Sequence, residues 1–520
     1  MVKDLRDGKK MLSSVSYVMV IMILSRLLAL VSTQVYMSFY GIDSFLNIYS
    51  YAITVPNTIF NCFGTALSTV VIPIYAGHLA KGNRLKADKF ADNIITIAMG
   101  FTLILVIAGI IISPYIVKLT AFTEPGEYNF AVKSLMIIMP VMLFYALNYI
   151  FQGMLQSNGK YGWPAFVSVP SSLVVIAYVF IWGERFGISG LLVATLIGLS
   201  MQAIILILPL LKTGYRYRPG FSLKDDDIKT AGKMTLNVLI GVSAYQINMF
   251  YNVTMISNFE GMTTLLTYVQ NIVVYMVLAF IYSITAVLYP KLTEKAAVGD
   301  MEGYKISLNT VLSNVMLLLL PITFGFIVVR HPLLELIANW GKITDTDINR
   351  AAIIMIMYSI GIVGIGAKEI LDRAFYAVKD TRTPALNGFI IMLVNIVLSL
   401  VLIKFIGAYG IPLAYSVASL TGCIVLLIAL NKKIGSYLKG FFEKFIKGLI
   451  ASLVMGFTVY AVLLLMNNIF VSDGILQRLI TLLVPVLTGV IAYGVMLLIL
   501  RVDVVVSIFN KFLRKGNEEK

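Results

Sequence analysis

Apolar residues run along this chain in stretches of about 20 or more, the length an α-helix needs to cross the hydrocarbon layer of a bilayer. Polar residues collect between those stretches. The pattern predicts fourteen membrane-spanning helices, near 11–40, 44–77, 90–117, 130–156, 164–182, 187–211, 234–257, 262–290, 304–330, 351–377, 384–404, 409–431, 445–467 and 475–500. The first is too long for the core of a signal peptide and lacks a small-residue cleavage site, so it is predicted to stay in the mature protein. The connections are short. The longest inside connection, 212–233, carries the acidic knot "KDDDIK" and reads as a solvated linker.

Composition agrees: of 520 residues, 59% are hydrophobic and 13% charged, with a mean hydropathy of +0.89. A soluble domain has no use for that balance. The net charge of +15 could signal nucleic acid, but the placement of the 41 lysines and arginines argues otherwise. With the N-terminus in the cytoplasm, 30 of them fall in inside segments such as "KGNRLKADK", "LKTGYRYRP" and the tail "NKFLRKGNEEK". Only Lys118, Lys133, Arg185, Arg330, Lys342, Arg350, Lys404 and Arg478 fall outside. This asymmetry predicts an even number of crossings with both termini cytoplasmic, and it points to the bilayer, not nucleic acid, as the partner of the charge. Trp163, Trp182 and Trp340 stand at span ends, where indole anchors to the headgroup layer. Cys62 and Cys423 lie inside spans and imply neither disulfide nor metal.

The chain also repeats itself. "VIPIYAGHLAKGN" closes span 2 and "LYPKLTEKAAVGD" closes span 8, with Pro73 and Pro290 217 residues apart. "GWPA" (162–165) matches "RTPA" (382–385), and "GISGLLVA" (187–194) matches "GAYGIPLA" (407–414), both at an offset of 220. Spans 1–6 and 7–12 are therefore expected to be two copies of one unit. Because six is even, the copies would be parallel lobes related by an axis along the membrane normal. The expected organisation is an N-lobe (1–211), a cytoplasmic linker (212–233), a C-lobe (234–431), and two extra spans with a basic tail (432–520). The fold class is all-α and polytopic.

Arg26 stands in the middle of "VIMILSRLLALVSTQ". A permanent charge at helix centre costs about 2.5–3.5 kcal/mol on insertion scales, so it needs a partner or a wet cavity. No acid lies within a helical turn, and the only deep acids in the fourteen spans are Glu369 and Asp372. Guanidinium binds phosphate through a fork of donors and sheds water more readily than ammonium, which suits an anionic, phosphate-bearing substrate. Polar stripes accompany it: Asn57, Asn61, Thr65 and Ser68 in span 2, Ser243, Gln246, Asn248 and Asn252 in span 7, and Thr267, Gln270 and Asn271 in span 8. Neutral amides either bond helices together or bind sugar hydroxyls. In span 10, Lys368 with Asp372 and Glu369 with Arg373 are spaced for two i,i+4 pairs. Lys368 is a candidate second phosphate contact, and Glu369 a candidate protonatable group. His78 and His331 read as isolated, and no nucleophile motif, metal-ligand spacing or cofactor motif occurs, so a transporter is expected and not an enzyme. Gly64, Gly364 and Gly366 are expected to permit close helix contact, and Pro56 to bend span 2.

Taken with "LSR", "VPNTIF", "IPIYAGHLAKGN", "LYPKLTEKAAVGD" and "RAFYAVKDTRTPA", the order of these features resembles the MurJ-type lipid II flippases of the MOP superfamily, relatives of polysaccharide flippases and MATE exporters. The resemblance extends over essentially the whole chain. It implies two lobes that alternate between inward-open and outward-open in the bacterial plasma membrane. They would carry undecaprenyl-diphosphate-linked peptidoglycan precursor outward, with cell-wall synthesis proteins as candidate partners. It gives Arg26 a diphosphate-binding role and matches Pro56 and Asn57 to the family's span 2 motif. The chain departs from the family at Ser32 and Thr33, where an Arg-Asp pair is usual, at Asn47, where an acid is usual, and at Phe60, Asn61 and Asn271, where arginines are usual. Most cavity cations of the family are therefore absent. The alternatives are a flippase for another lipid-linked oligosaccharide and a MATE-like multidrug antiporter. The antiporter would need cavity acids, of which the first nine spans contain almost none.

Overall fold

The computed structural model describes residues 2–469, 474–503 and 505–506, with side chains described from Ile21 onward except at a few helical positions that include Ser68 and Pro290. The basic tail and the side chains of "KDLRDGKK" lie outside the described residues. Every regular element among the described residues is helical. The chain folds as two compact units, 1–268 and 269–520.

The first unit holds α1 (Val2–Tyr40), α2 (Ser44–Ala80), α3 (Arg84–Val117), α4 (Pro125–Ile138), α5 (Val141–Ser157), α6 (Gly162–Phe166), α7 (Val169–Leu211), α8 (Asp226–Ile256) and most of α9 (Met262–Gln270). Central among them is α2, which packs on α8, α5, α4 and α3. Val70, Val71, Tyr75, Phe90, Ile150, Met154, Leu206 and Ile228 form one buried cluster that joins α2, α3, α5, α7 and α8. Pro56 and Pro73 both lie within α2, which continues as one helix through them.

The second unit opens with a π-helical turn, Asn271–Tyr275, and continues as α10 (Met276–Ala297), α11 (Met301–Ile337), α12 (Asp345–Ser359), α13 (Ile362–Ala377), α14 (Arg382–Ile406), α15 (Gly410–Ile434), α16 (Phe441–Ile469) and α17 (Ile475–Ile499). The last two pack on α11 and on each other. Val329 of α11, Met455, Val459 and Leu463 of α16, and Leu482 of α17 share a core. A Cβ on Gly489 would stand 2.4 Å from the Val459 side chain, so the α16–α17 contact requires glycine there.

Among the described residues, ten stretches are long and apolar enough to cross a membrane, or eleven with the α12–α13 pair, which bends by 41°. Two of the ten, Gly162–Leu211 with 50 residues and Arg382–Ile434 with 53, exceed one crossing and divide at Gly187 and Gly407. With those divisions, and with α8, the arrangement is compatible with fourteen crossings. The protein is a multi-pass membrane protein.

Backbone conformations recur at the spacing of the sequence motifs. Left-handed residues come in pairs 217 to 221 positions apart: Gly41 and Gly261, Gly82 and Gly299, Gly159 and Lys379, Gly187 and Gly407, Gly214 and Gly435. After the second pair, Asn83 and Asp300 each cap the next helix, accepting from the amides of Lys86 and Gly303.

The acidic knot is structured. Asp225 caps α8 by accepting from the Asp227 amide at 2.9 Å, and Asp226 and Asp227 occupy the first turn, where the helix dipole favours carboxylates. The helix therefore begins eight residues before the start that apolar periodicity alone predicts.

Candidate functional site

Arg26 lies on α1 and is exposed, flanked by exposed Leu24 and Leu27. It forms no ion pair or hydrogen bond among the described residues. Its neighbour Ser25 is buried and donates to the Ala165 carbonyl at 3.1 Å, which fixes α1 against α6. The guanidinium is thus presented one residue along from an anchored position.

On α2, Asn57 is exposed, and Asn61 is half-buried with its Oδ1 accepting from the Tyr149 hydroxyl at 2.6 Å. Gly64 makes that bond possible: a Cβ there would lie 2.2 Å from the Tyr149 ring. Tyr149 belongs to an aromatic group with Phe60, Phe63 and Tyr145 around the Asn61 turn. Sequence reasoning singled out the amide and the glycine but missed the tyrosine 88 positions away, whose spacing carries no local signal. Thr65 is exposed on the same helix, and the side chain of Ser68 lies outside the described residues. Gln246 is half-buried on α8.

Asn47, at the start of α2, is 1% exposed and uses both ends of its amide. Nδ2 donates to the Phe259 carbonyl at 3.3 Å and Oδ1 accepts from the Thr263 amide at 2.8 Å. One turn on, the Ser50 and Thr264 hydroxyls meet at 2.8 Å. A carboxylate at 47 could accept but not donate, which is a physical reason for an amide at this position.

His78 is not isolated, contrary to the sequence reading. Its Nε2 lies 2.8 Å from Asp227 Oδ2, so the end of α2 is joined to the first turn of α8. The partner sits 149 residues away, inside the segment read as a solvated linker.

In the second unit, Asn271 opens the π-helical turn, a local widening of the helix often found where helices carry function, and Gln270 just before it is buried. Lys368 pairs with Asp372 at 2.6 Å, as the spacing predicts. The other expected pair is not formed among the described residues: Arg373 instead places its guanidinium 5.9 Å from the Tyr376 ring centre, a cation–π distance. Glu369 is half-buried beside Lys368, Asp372 and Arg373 and holds no ion pair among the described residues. The second oxygen of Asp372 is buried without a hydrogen-bond partner. Gly364 and Gly366 stand where a Cβ would meet the Leu420 backbone at 2.8 Å and the Leu319 side chain at 2.3 Å, as expected for close helix contacts.

Among the predicted site residues, the first unit offers the Arg26 guanidinium, unpaired among the described residues, and the accessible Asn57 amide, and the second unit a charged tetrad on α13. The first set can bind an anion that also presents hydroxyls. The second can exchange a proton or a counter-charge within a single helix.

Comparison with known proteins supplies the context for that geometry. A sequence profile described as Lipid II flippase MurJ matches residues 37–485. The probable lipid II flippase MurJ of Vibrio cholerae is 25% identical over 516 residues, covering 95% of this chain and 97% of that protein. The lipid II flippase MurJ of Thermosipho africanus is 25% identical over 442 residues, covering 84% and 88%. Among solved structures, an inward closed conformation of the lipid II flippase MurJ superposes with a TM-score of 0.77 at 24% identity, over 92% of this chain and 98% of that one. An inward-facing MATE family multidrug transporter superposes with a TM-score of 0.68 at 14% identity, over 81% and 99%. Both structural likenesses establish the fold.

Proposed function

The chain belongs to the MurJ lipid II flippase family, and from that premise we propose that it translocates lipid II, the undecaprenyl-diphosphate-linked peptidoglycan precursor, from the inner to the outer leaflet by alternating access. Arg26 holds the diphosphate. Asn57 and Asn61 on α2, Gln246 on α8, and Gln270 and Asn271 meet the saccharide and peptide polar groups. Lys368 becomes a second phosphate contact by exchanging Asp372 for the substrate. Glu369, which holds no ion pair among the described residues, is the group available to take up or release a proton, with Asp372 and Arg373 as its charged neighbours.

The N-lobe is spans 1–6 and the C-lobe spans 7–12, with 212–233 between them and both termini on the cytoplasmic side. The cytoplasmic placement rests on the Lys and Arg asymmetry. The two extra C-terminal spans pack on α11 and are the candidate seat of the lipid tail. The role is that of a transporter without catalytic chemistry, and cell-wall synthesis proteins are its candidate neighbours in the membrane.

The single observation that carries the phosphate assignment is Arg26: a mid-helix guanidinium, exposed on an apolar helix, with no acid committed to it among the described residues. A charge so placed costs insertion free energy, and a substrate that carries two phosphates offsets that cost only when bound. The test is translocation in vesicles that contain the purified protein, comparing lipid II with an undecaprenyl diphosphate that bears a different saccharide. Movement of lipid II alone supports the peptidoglycan reading. Equal movement of both moves the reading to a broader lipid-linked oligosaccharide flippase, and movement of neither overturns it.

A further inference from the structure

Between the start of α3 and the chain that leaves α7 lies a cavity of about 540 Å³. Its wall includes Lys86, Lys89, Arg216 and Arg218, together with Asp88 and Asp92. Both carboxylates are already engaged. Asp88 is bonded by the Tyr75 hydroxyl at 3.2 Å and faces Arg84 at 3.6 Å. Asp92, buried, accepts from the Tyr215 hydroxyl at 2.7 Å and the Arg218 amide at 3.1 Å. The four cations themselves form no ion pair among the described residues.

Positive charge on inside loops is ordinary, and topology alone could account for it. The internal repeat separates the two explanations. The same scaffold recurs about 220 residues further on: Gly299 repeats the left-handed turn of Gly82, Asp300 repeats the cap of Asn83, and Asn309 stands where Asp92 does. Asn309 likewise tethers the chain after a sixth span, donating to the Lys439 carbonyl at 2.8 Å. Yet Lys86 and Lys89 correspond there to Gly303 and Ile306, and Arg216 to Tyr437. Arg218 alone keeps a cation there, Lys439, while three other lysines near that second scaffold are paired with carboxylates: Lys305 with Glu302 at 3.1 Å, Lys295 with Asp300 at 3.9 Å, and Lys433 with Asp380 at 2.7 Å. The fold is therefore built without three of the four cations in one copy, so neither the tether nor the turn requires Lys86, Lys89 or Arg216 in the other.

We propose that the first copy of this scaffold is a binding site for a phosphate group presented at the cytoplasmic face, most directly the headgroup of an anionic inner-leaflet phospholipid, separate from Arg26. Two arginines supply forked donors and two lysines supply point charge, around a space large enough for a glycerophosphate headgroup. The contact is exposed to solvent at its rim, so its affinity falls as salt rises.

Full-length protein in detergent is titrated with short-chain phosphatidylglycerol, short-chain phosphatidylcholine and inorganic phosphate, with the thermal midpoint as readout. A saturable rise with phosphatidylglycerol is expected. It should be at least tenfold weaker in the variant Lys86→Gln, Lys89→Gln, Arg216→Gln and unchanged in Lys305→Gln, Lys439→Gln. Competition by inorganic phosphate at matching concentrations supports the site and makes its ligand a soluble phosphate. Equal responses of the two variants, or no saturable response in the parent protein, overturn the proposal. Binding is read without transport, so a failure here leaves the flippase reading intact.

Discussion

His78 Nε2 and Asp227 Oδ2 meet at 2.8 Å, joining the last turn of α2 to the first turn of α8. In sequence, α8 opens the second copy of the repeat, yet by its packing it belongs with α2 in the first unit. If alternating access separates these helix ends, a covalent bridge there must stop it. With Cys62 and Cys423 replaced by serine, His78→Cys, Asp227→Cys is expected to lose flipping when bridged by a short bifunctional maleimide. The same pair should flip when left unbridged. Unimpaired flipping by the bridged protein would show that the contact persists through the cycle.

Asn47 carries a second relationship that the family resemblance alone would misjudge. The Asn47→Asp substitution restores the usual acid but removes the donor to the Phe259 carbonyl and turns a carboxylate toward it. Leaving a buried acceptor unsatisfied costs about 1–3 kcal/mol. The thermal midpoint of the purified variant should drop accordingly, whereas Asn47→Gln, which keeps both functions on a longer arm, should fall less.

Gly187 divides the long apolar stretch of α7 with φ 57° and ψ −150°, a region essentially reserved for glycine. Nothing lies within 4 Å of a Cβ built there, so Gly187→Ala isolates the backbone cost, about 1–3 kcal/mol. Gly100, inside α3 and equally free of neighbours, provides the control. Gly100→Ala should be neutral or stabilising by up to about 1 kcal/mol, since alanine is the better helix former. A similar loss at both positions, read by denaturation in detergent, would contradict the backbone explanation.

These cases mark where sequence was informative. Span positions were legible because hydrocarbon demands a long apolar run, and glycines such as Gly187 and Gly407 because their motifs repeat. Lys379 escaped notice: it holds the left-handed position that Gly159 holds in the first copy, and nothing in a lysine announces that. Arg26 was legible from cost alone, because a mid-span charge has few explanations. The partners of His78, Asn47 and Asn61 were not, since each bond closes a loop of 88 to 216 residues that no local spacing records. Glu369 and Arg373 had ideal spacing and still did not pair, because an aromatic face at Tyr376 competes for the guanidinium.

At the loop between α13 and α14, burial raises the Asp380 carboxyl, while hydrogen bonds from Lys433 and Thr383 lower it further, leaving it at about 2 against an ordinary 3.8. A depressed acid stabilises the fold in full above its unfolded value, near 4, and loses that contribution as pH falls through about 2. Lys433→Gln removes the cation and leaves the Thr383 bonds. Thermal midpoints at pH 7 and pH 3 should therefore differ less in the variant than in the parent. An equal or larger difference in the variant would mean that Lys433 does not hold the carboxyl down.

Arg26 gives the prediction whose two readouts move in opposite directions. Removing a charge from the middle of a span relieves an insertion cost of about 2.5–3.5 kcal/mol, so Arg26→Ala should insert and accumulate at least as well as the parent protein. Charge-assisted hydrogen bonds contribute about 1.5–3 kcal/mol, so losing the diphosphate contact should slow flipping by roughly tenfold or more. Arg26→Lys keeps the charge but not the fork and should fall between. A guanidinium serving only to position α1 would behave differently: its loss would reduce stability and accumulation together with transport, and the lysine variant would gain little. Complementation in cells depleted of their own lipid II flippase, scored beside the amount of protein in the membrane, separates the two. Full complementation by Arg26→Ala at normal abundance would end the phosphate assignment, and the search for the anion contact would move to Lys368.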